Sequence, residues 1–553
     1  MKLKYALFGL VGVASIVTSC ELDEKFYSKV TPDNFFTAPE NTYAVLGRPF
    51  THLKYFFSNE RYYLQELTSD EMTCPFRTKG KDFYNNGEYV RLQEHTWTSV
   101  DRFIEGSYIA PIQGVARSIA SREDLANVDY VSLGLTNADK AWQLSQLDAI
   151  TAYYYMRALD FFGGVPVVTS TTEPVRGRSS DRETFNHIEQ LLLSARPNLK
   201  VRKTINEPQD GFINQAGATV MLGMLYLNAE AYIGEARFSQ AEQEFQDVID
   251  GKYGPYELDP TWYGPHGFDN DKSPEAIWNL MSEHSLMEWN WWYRYFFPQD
   301  AATYFDVAFP ASIYNGFILT PSRPTADGAI YTQWKLGNSY EKFNDADLRK
   351  KPYVYNGNKR YDGMFLVGKL TNPHTGKTVK GKKEYSGKDI TRVDAVDVPG
   401  GTKSHEMEGV ESSGICLVKS PVPNNDDFDL LWNPDMPIYR LTEVYYALAE
   451  CKWRAGKKDE AADLINEVRK RNFAGGIDPD PVPDNFDIYR MADEWLIEFL
   501  GEGHRRTDLI RWGLWTTEDW WAHSATNDKN KCRFPLPDKY LAGNPLLVQN
   551  PGY

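Results

Sequence analysis

Apolar side chains return at three- and four-residue steps through several long segments of this chain. From Gln146 to Phe162 the stripe is Leu147, Ile150, Tyr154, Ala158 and Phe161, the period of an amphipathic helix. Gly163-Gly164 followed by Val165-Pro166 stops it, because glycine accepts the left-handed conformation at a helix end and proline cannot continue the ladder. The same period marks one helix pair over 214–231 and 240–249, and another over 441–455 and 459–471, with Gly456 in the turn. Residues 252–435 differ: they are rich in Gly, Pro, Asn, Asp, Tyr and Trp and show little helical periodicity. Within them Gly363 to Leu370 reads as short strands, and Thr371 to Lys403 as a polar, Lys- and Gly-rich excursion. The pattern predicts a mainly α protein whose helical scaffold is interrupted by a long, loop-rich region with short strands. A region of that kind in a large helical protein is where the ligand face is expected.

The two helix pairs resemble each other. Ala229, Tyr232, Ala241, Phe245 and Val248 of the first correspond to Ala449, Lys452, Ala461, Ile465 and Val468 of the second. The spacing is similar to that of tetratricopeptide repeats, in which small residues let two helices approach and larger ones fill the space between neighbours. Lys452 alone departs from the apolar or small pattern. Pairs of this type stack into a scaffold with one continuous core.

The first twenty residues bear on the compartment. Lys2 and Lys4 precede an apolar stretch from Tyr5 to Val17, which is shorter than the about 20 residues a membrane-spanning helix needs and suits the core of a signal peptide. Val17-Thr18-Ser19-Cys20 is similar to a bacterial lipobox, which implies cleavage before Cys20, lipidation of its thiol and attachment to the membrane through that lipid alone. Residues 20–40 then read as a polar tether, 41–251 as an N-terminal helical part, 252–435 as the irregular excursion and 436–553 as a C-terminal helical part. The net charge is −16, and loss of residues 1–19 with their two lysines makes it more negative. An acidic chain without a basic cluster is a poor partner for phosphate backbones, so no nucleic-acid role is expected. The remaining cysteines, Cys74, Cys416, Cys451 and Cys532, match no metal spacing and no dense disulfide framework, although pairing is permitted outside the cytoplasm.

Several strings together resemble SusD/RagB-type outer-membrane lipoproteins of Bacteroidetes. Glu21, Asp23 and Glu24 follow the lipobox. Phe161-Phe162-Gly163-Gly164-Val165-Pro166 closes one helix. Tyr439-Arg440-Leu441-Thr442-Glu443-Val444-Tyr445 with Ala449-Glu450 opens another, and Leu464-Ile465-Asn466-Glu467-Val468-Arg469 lies in the next. The most distinctive run is Glu498 to Gly513, and Phe534-Pro535-Leu536-Pro537 follows near the end. The resemblance implies four tetratricopeptide-like helix pairs carrying an irregular ligand face. It also implies an outer-membrane, exterior-facing location, a nutrient cargo that is usually a glycan and sometimes a peptide, and a SusC-like TonB-dependent transporter as partner.

No catalytic constellation is evident. Glu498, Glu502, Arg505, Arg506, Asp508 and Arg511 set acids and bases at helical spacing, but they read as a structural corner of paired charges, since a buried charge needs a partner. The nine histidines form no H-E-x-x-H, and no phosphate loop is visible. Asn425, Asp426, Asp427 and Asp429 offer hard oxygens to a structural calcium but lack the spacing of a calcium loop; a solvated acidic turn is the leading reading, and no cofactor is expected. Aromatic residues, 14% of the chain, are the stronger lead. Indole and phenol rings stack on the C–H faces of sugars, while amides and guanidiniums meet the hydroxyls. The densest run is Trp289-Asn290-Trp291-Trp292-Tyr293-Arg294-Tyr295-Phe296-Phe297. Read as a strand or loop, it cannot bury every ring on one side. Trp289, Asn290, Trp291, Trp292 and Arg294 are therefore candidate ligand contacts, with Trp97, Tyr331 and Trp334 beside them, whereas Trp142, Trp453 and Trp495 fall on helical faces and read as core. Binding of an oligosaccharide or polysaccharide without bond cleavage is the leading expectation. Binding of a peptide or other nutrient is the alternative, and a secreted glycoside hydrolase is the least supported.

Overall fold

The computed structural model describes residues 35–77, 81–288, 292–397 and 405–553; Cys20 and the lipobox lie outside them. Eight helices form the scaffold: α1 (Pro39–Glu66), α2 (Arg102–Ala126), α3 (Asn137–Phe162), α4 (Asp181–Ala195), α5 (Gln215–Leu227), α6 (Phe238–Ile249), α7 (Leu441–Arg454) and α8 (Lys458–Arg469). Each packs on the next, from α1 against α2 to α7 against α8, so four pairs stack in series as in tetratricopeptide repeats. The chain leaves this stack after Ile249 and rejoins it at Leu441, where α7 packs directly on α6. The excursion between them is closed at its base by an antiparallel ladder. Strand β1 (Ala276–Leu280) pairs with β2 (Met436–Arg440), Met436 opposite Leu280 and Arg440 opposite Ala276.

Local chemistry explains the ends of these helices. Thr136 caps α3 by accepting from the Asp139 N–H at 3.1 Å, and the Asp139 carboxylate accepts from the Thr136 N–H at 2.8 Å, a reciprocal capping box. The helix therefore starts well before the Gln146 at which the apolar stripe begins. It stops at Gly163, whose φ of +75° is open to glycine. The helix expected over 214–231 is broken at Asn228, where the backbone leaves helical geometry. That break presents the Asn228 side-chain oxygen to the Arg511 guanidinium at 3.0 Å.

The small-residue spacing has a packing reason. A Cβ on Gly223 of α5 would lie 2.5 Å from the Phe245 ring of α6, so glycine permits the close approach of that pair. Ala229, Ala241, Phe245 and Val248 are buried, as are Ala449, Ala461, Ile465 and Val468. Lys452, the exception, reaches Glu242 of α6 at 2.8 Å and Glu460 of α8 at 3.1 Å. Its charge joins the two pairs on their solvent side. Trp142 and Trp495 are buried in core, while Trp453 is half-buried and donates to the Phe486 carbonyl at 3.1 Å.

The run from Glu498 to Gly513 becomes α9 (Ile488–Phe499), a turn, and α10 (Arg505–Arg511), and its charges are buried and paired. Arg505 donates to Asp70, beyond the end of α1, at 2.7 and 2.9 Å. Arg511 forks onto Glu450 of α7, and Arg506 approaches Asp160 of α3 at 3.5 Å. Glu498 receives Arg349 from the excursion at 2.8 Å and Arg440 and Arg471 at 3.0 Å each. This corner ties the first helix, the excursion and the last helix pair together. Breaking one buried pair of this kind costs about 3–5 kcal/mol.

Within the excursion the strands are short. The expected segment Gly363–Leu370 divides into Phe365–Leu366, paired with Cys416–Leu417, and Gly368–Lys369, paired with Thr391–Arg392; Gly368 at φ +72° makes the break. Cys74, Cys416, Cys451 and Cys532 are free thiols. Among the described residues no helix is long and apolar enough to cross a membrane.

Candidate functional site

A rim forms where three parts of the chain meet: residues 76–77 with 81–87, residues 294–316, and residues 380–397 with 405–413. Its first part is strained. Lys81, Phe83, Asn85 and Asn86 all have positive φ, between 45° and 62°, and left-handed backbone costs about 1–2 kcal/mol for each non-glycine residue. Such strain persists only where the surroundings hold it, and it clusters at functional positions.

Two buried arginines tie the parts of the rim together. Arg77 donates to the carbonyls of Asn315 at 3.0 Å and Val410 at 2.8 Å. Arg392 donates to the carbonyls of Glu411 at 2.8 Å and Ser413 at 2.7 Å, and also to the Asn315 side chain. Burial, then the neighbouring Arg392 charge, lowers the Arg77 pKa to about 10, which leaves it cationic at neutral pH. Both guanidiniums supply donors to buried backbone carbonyls. Residues 382–385 of the polar excursion dock on the same rim. The Glu411 carboxylate accepts from the N–H groups of Lys382, Lys383 and Tyr385 at 2.8, 2.6 and 3.1 Å, and Lys383 pairs with Asp82 at 2.5 Å.

The rings at this rim are partly exposed. Arg294 donates to the Tyr314 hydroxyl at 2.7 Å, and its guanidinium stands 5.1 Å over the Tyr314 ring. Tyr295 lies 5.9 Å and Phe83 6.3 Å from the same ring. Backbone bonds from Tyr314 N–H to Arg294 O at 2.8 Å and from Gly316 N–H to Tyr295 O at 2.9 Å hold the two segments together. A Cβ on Gly316 would lie 2.5 Å from the Phe83 ring, so this contact requires glycine. Tyr84, 47% exposed, packs 5.3 Å from Phe76. The assembly offers half-buried phenols and a fixed guanidinium, a surface suited to stacking and hydrogen bonding.

The sequence-predicted contacts divide. Trp289, Asn290 and Trp291 lie outside the described residues. Trp292 opens a short helix, Trp292–Phe296, where a strand or loop was expected; its side chain is also outside the description. Arg294 and Tyr295 are half-buried at the rim, and Phe296 and Phe297 enter the core. Trp97 is 3% exposed and offers no free face: it packs 5.8 Å from Trp515 and 4.7 Å from Phe534, and its indole N–H donates to the Tyr553 hydroxyl at 2.8 Å. The reason is His95, which ends the preceding helix in a left-handed conformation and donates from Nε2 to the Thr68 carbonyl at 2.8 Å. Tyr331 is buried against half-exposed Trp334, ring centres 4.6 Å apart. That pair stands beside α9, where Lys335 reaches the Tyr489 hydroxyl at 2.9 Å, and not with Arg294. Phe83, Tyr314, Arg77 and Arg392 were not singled out from sequence. The only local signals near them are Asn85-Asn86-Gly87 and Asn315-Gly316, both turn formers.

Comparisons with known proteins agree with this architecture. The starch-binding protein SusD of Bacteroides thetaiotaomicron is 23% identical over 442 residues, covering 76% of this chain and 74% of that protein. Among solved structures, surface glycan-binding protein A from Bacteroides thetaiotaomicron in complex with laminarihexaose superposes with a TM-score of 0.63 at 16% identity, over 93% of this chain and 100% of that one. A laminarin-binding SusD-like protein superposes with a TM-score of 0.66 at 19% identity, again over 93% and 100%. The profile of the SusD family matches residues 274–553, which include two of the three parts of the rim, the charged run 498–513 and the last helix pair: this chain belongs to the SusD family.

Proposed function

We propose that this protein is a cell-surface lipoprotein, anchored in the outer membrane through Cys20, that binds an oligosaccharide or polysaccharide and delivers it to a SusC-like TonB-dependent transporter without cleaving it. The observation that carries the reading is the Arg294–Tyr295–Tyr314–Phe83 group, held at the meeting of three loop segments by Arg77 and Arg392. Rings supply flat apolar faces and the guanidinium supplies donors, which is the complement of a sugar. The names of the relatives support it, since they are described as binding starch, laminarin or surface glycan. A modest affinity for free glycan suffices, because a partner transporter would supply a second surface at high effective concentration.

The test is a panel of malto-, laminari- and other oligosaccharides, with peptides as controls, titrated calorimetrically against wild type, Trp289→Ala, Trp292→Ala, Arg294→Ala and Trp97→Ala. One glycan is expected to bind, and at least one of the first three substitutions to weaken it tenfold, about 1.4 kcal/mol, with circular dichroism unchanged. Trp97→Ala is expected to lower stability and leave the rim contacts intact. Binding of peptides and of no glycan would overturn the reading. Cys20→Ala is expected to abolish surface retention, and co-purification of the wild type with a transporter to be lost when surface attachment is lost.

A further inference from the structure

On the scaffold side of the molecule a cleft of about 670 Å³ opens among the short helix Ala229–Ile233, the ends of α7 and α10, and the C-terminal segments 513–517, 529–533 and 550–551. The volume falls in the range of small-ligand sites, and none of the rim residues lines it. Its walls are rich in donors. Arg454, Arg511, Lys529 and Arg533 all line it, and Glu230 is the one acidic lining residue.

The guanidiniums are held in place from behind. Glu450, buried, accepts from both Arg454 at 2.8 Å and Arg511 at 2.8 Å, so one carboxylate serves two cations. Arg511 is further fixed by Asp508 at 2.8 Å, and Arg533 by Asp181 at 2.5 Å. Lys529 is exposed and makes no ion pair among the described residues. Trp512 also lines the wall. In a chain of net charge −16, a wall with this composition selects a ligand that brings oxygen acceptors and negative charge.

From this geometry we infer a second binding site, for a small ligand bearing carboxylate or sulfate groups, built from Arg454, Lys529 and Arg533. The forks of Arg454 and Arg533, each held by one carboxylate and partly exposed, match an oxyanion in shape as well as charge, while Arg511 is spent on Glu450, Asp508 and Asn228 behind them. Lys529 closes the open side as a mobile cation. The site stands apart from the rim, so it holds whether or not the rim binds glycan.

Calorimetric titration of the full chain tests it, with digalacturonate, a sulfated disaccharide, sodium sulfate and neutral laminaribiose as probes, in wild type, Lys529→Glu and Thr517→Trp. Both substitutions are at exposed positions; the first reverses the mobile charge and the second fills the cleft. A charged probe is expected to bind, laminaribiose not to bind here, and each substitution to weaken the charged probe at least tenfold while Trp292→Ala leaves it unchanged. Raising salt from low to high concentration is expected to weaken binding further. Preference among digalacturonate, sulfated disaccharide and sulfate alone assigns the source of the oxyanion. Absence of binding by every charged probe at millimolar concentration, or binding indifferent to both Lys529→Glu and Thr517→Trp, overturns the assignment.

Discussion

Substituting Glu498 by glutamine isolates the contribution of the buried ionic corner. Burial by itself would raise the pKa of this carboxyl, but the guanidiniums of Arg440, Arg471 and Arg349 overcome that effect and hold it at about 2, against 4.5 for an ordinary glutamate. A difference of that size corresponds to about 3 kcal/mol of folding stability at neutral pH. It agrees with the about 3–5 kcal/mol expected when one partner is removed from a buried charge pair. The sign follows from the direction: the folded pKa lies below the unfolded one, so the contribution is complete above pH 4.5 and is lost as pH falls through about 2. Glu498→Gln keeps the shape, removes the charge and leaves three guanidiniums facing an amide. Urea unfolding followed by tryptophan fluorescence is expected to show a loss of about 3 kcal/mol at pH 7 with an unchanged slope. The gap between wild type and variant should close on acidification toward pH 2. A loss below 1 kcal/mol at pH 7, or a gap that does not narrow with acid, would refute the assignment of this corner as a stabilising network.

Other outcomes follow from single contacts. Gly223→Ala places a methyl 2.5 Å from the Phe245 ring and is expected to cost about 1–3 kcal/mol by overpacking, with part of the loss recovered in the double variant carrying Phe245→Leu; thermal unfolding of the three proteins measures it. Asp435, buried while accepting from the Ser282 N–H at 2.8 Å and from Asn279 at 3.3 Å, has its pKa raised by that burial to about 7. Its folded pKa exceeds the unfolded one, so stability declines as pH rises from about 4 through about 7. Asp435→Asn is expected to remove that decline, and equal slopes of stability against pH in wild type and variant would exclude it. Arg77→Met leaves the Asn315 carbonyl without its donor and removes the bond to Val410 and is expected to cost about 1–3 kcal/mol and to expose residues 409–413 to limited proteolysis.

Much of the scaffold was legible because it rests on local regularities. The 3.6-residue stripe, the glycine–proline stop after Phe162 and the small residues at Ala229, Ala241, Ala449 and Ala461 each act within one helix or one helix pair. Their consequences therefore survive in the linear order of residues. The charged run 498–513 could be read as structural for a related reason: so many charges among apolar contacts are stable only when paired. Which partners they take, Asp70 for Arg505 and Asp160 for Arg506, depends on segments hundreds of residues away.

The rim shows the other side. Trp97 lies in a polar string and looks exposed in one dimension, yet a single left-handed residue, His95, turns it into the core against Trp515 and Phe534. Arg77 and Arg392 are 315 positions apart in the chain and become neighbours only because both must satisfy carbonyls of the same folded loops. Helix class, the stacking of pairs and membership of a binding-protein family were set by local periodicity and short motifs in the sequence itself. Burial at loop positions was decided only by tertiary structure, because a loop has no period from which its inward face can be read, and its side chains take whatever surfaces long-range packing leaves to them.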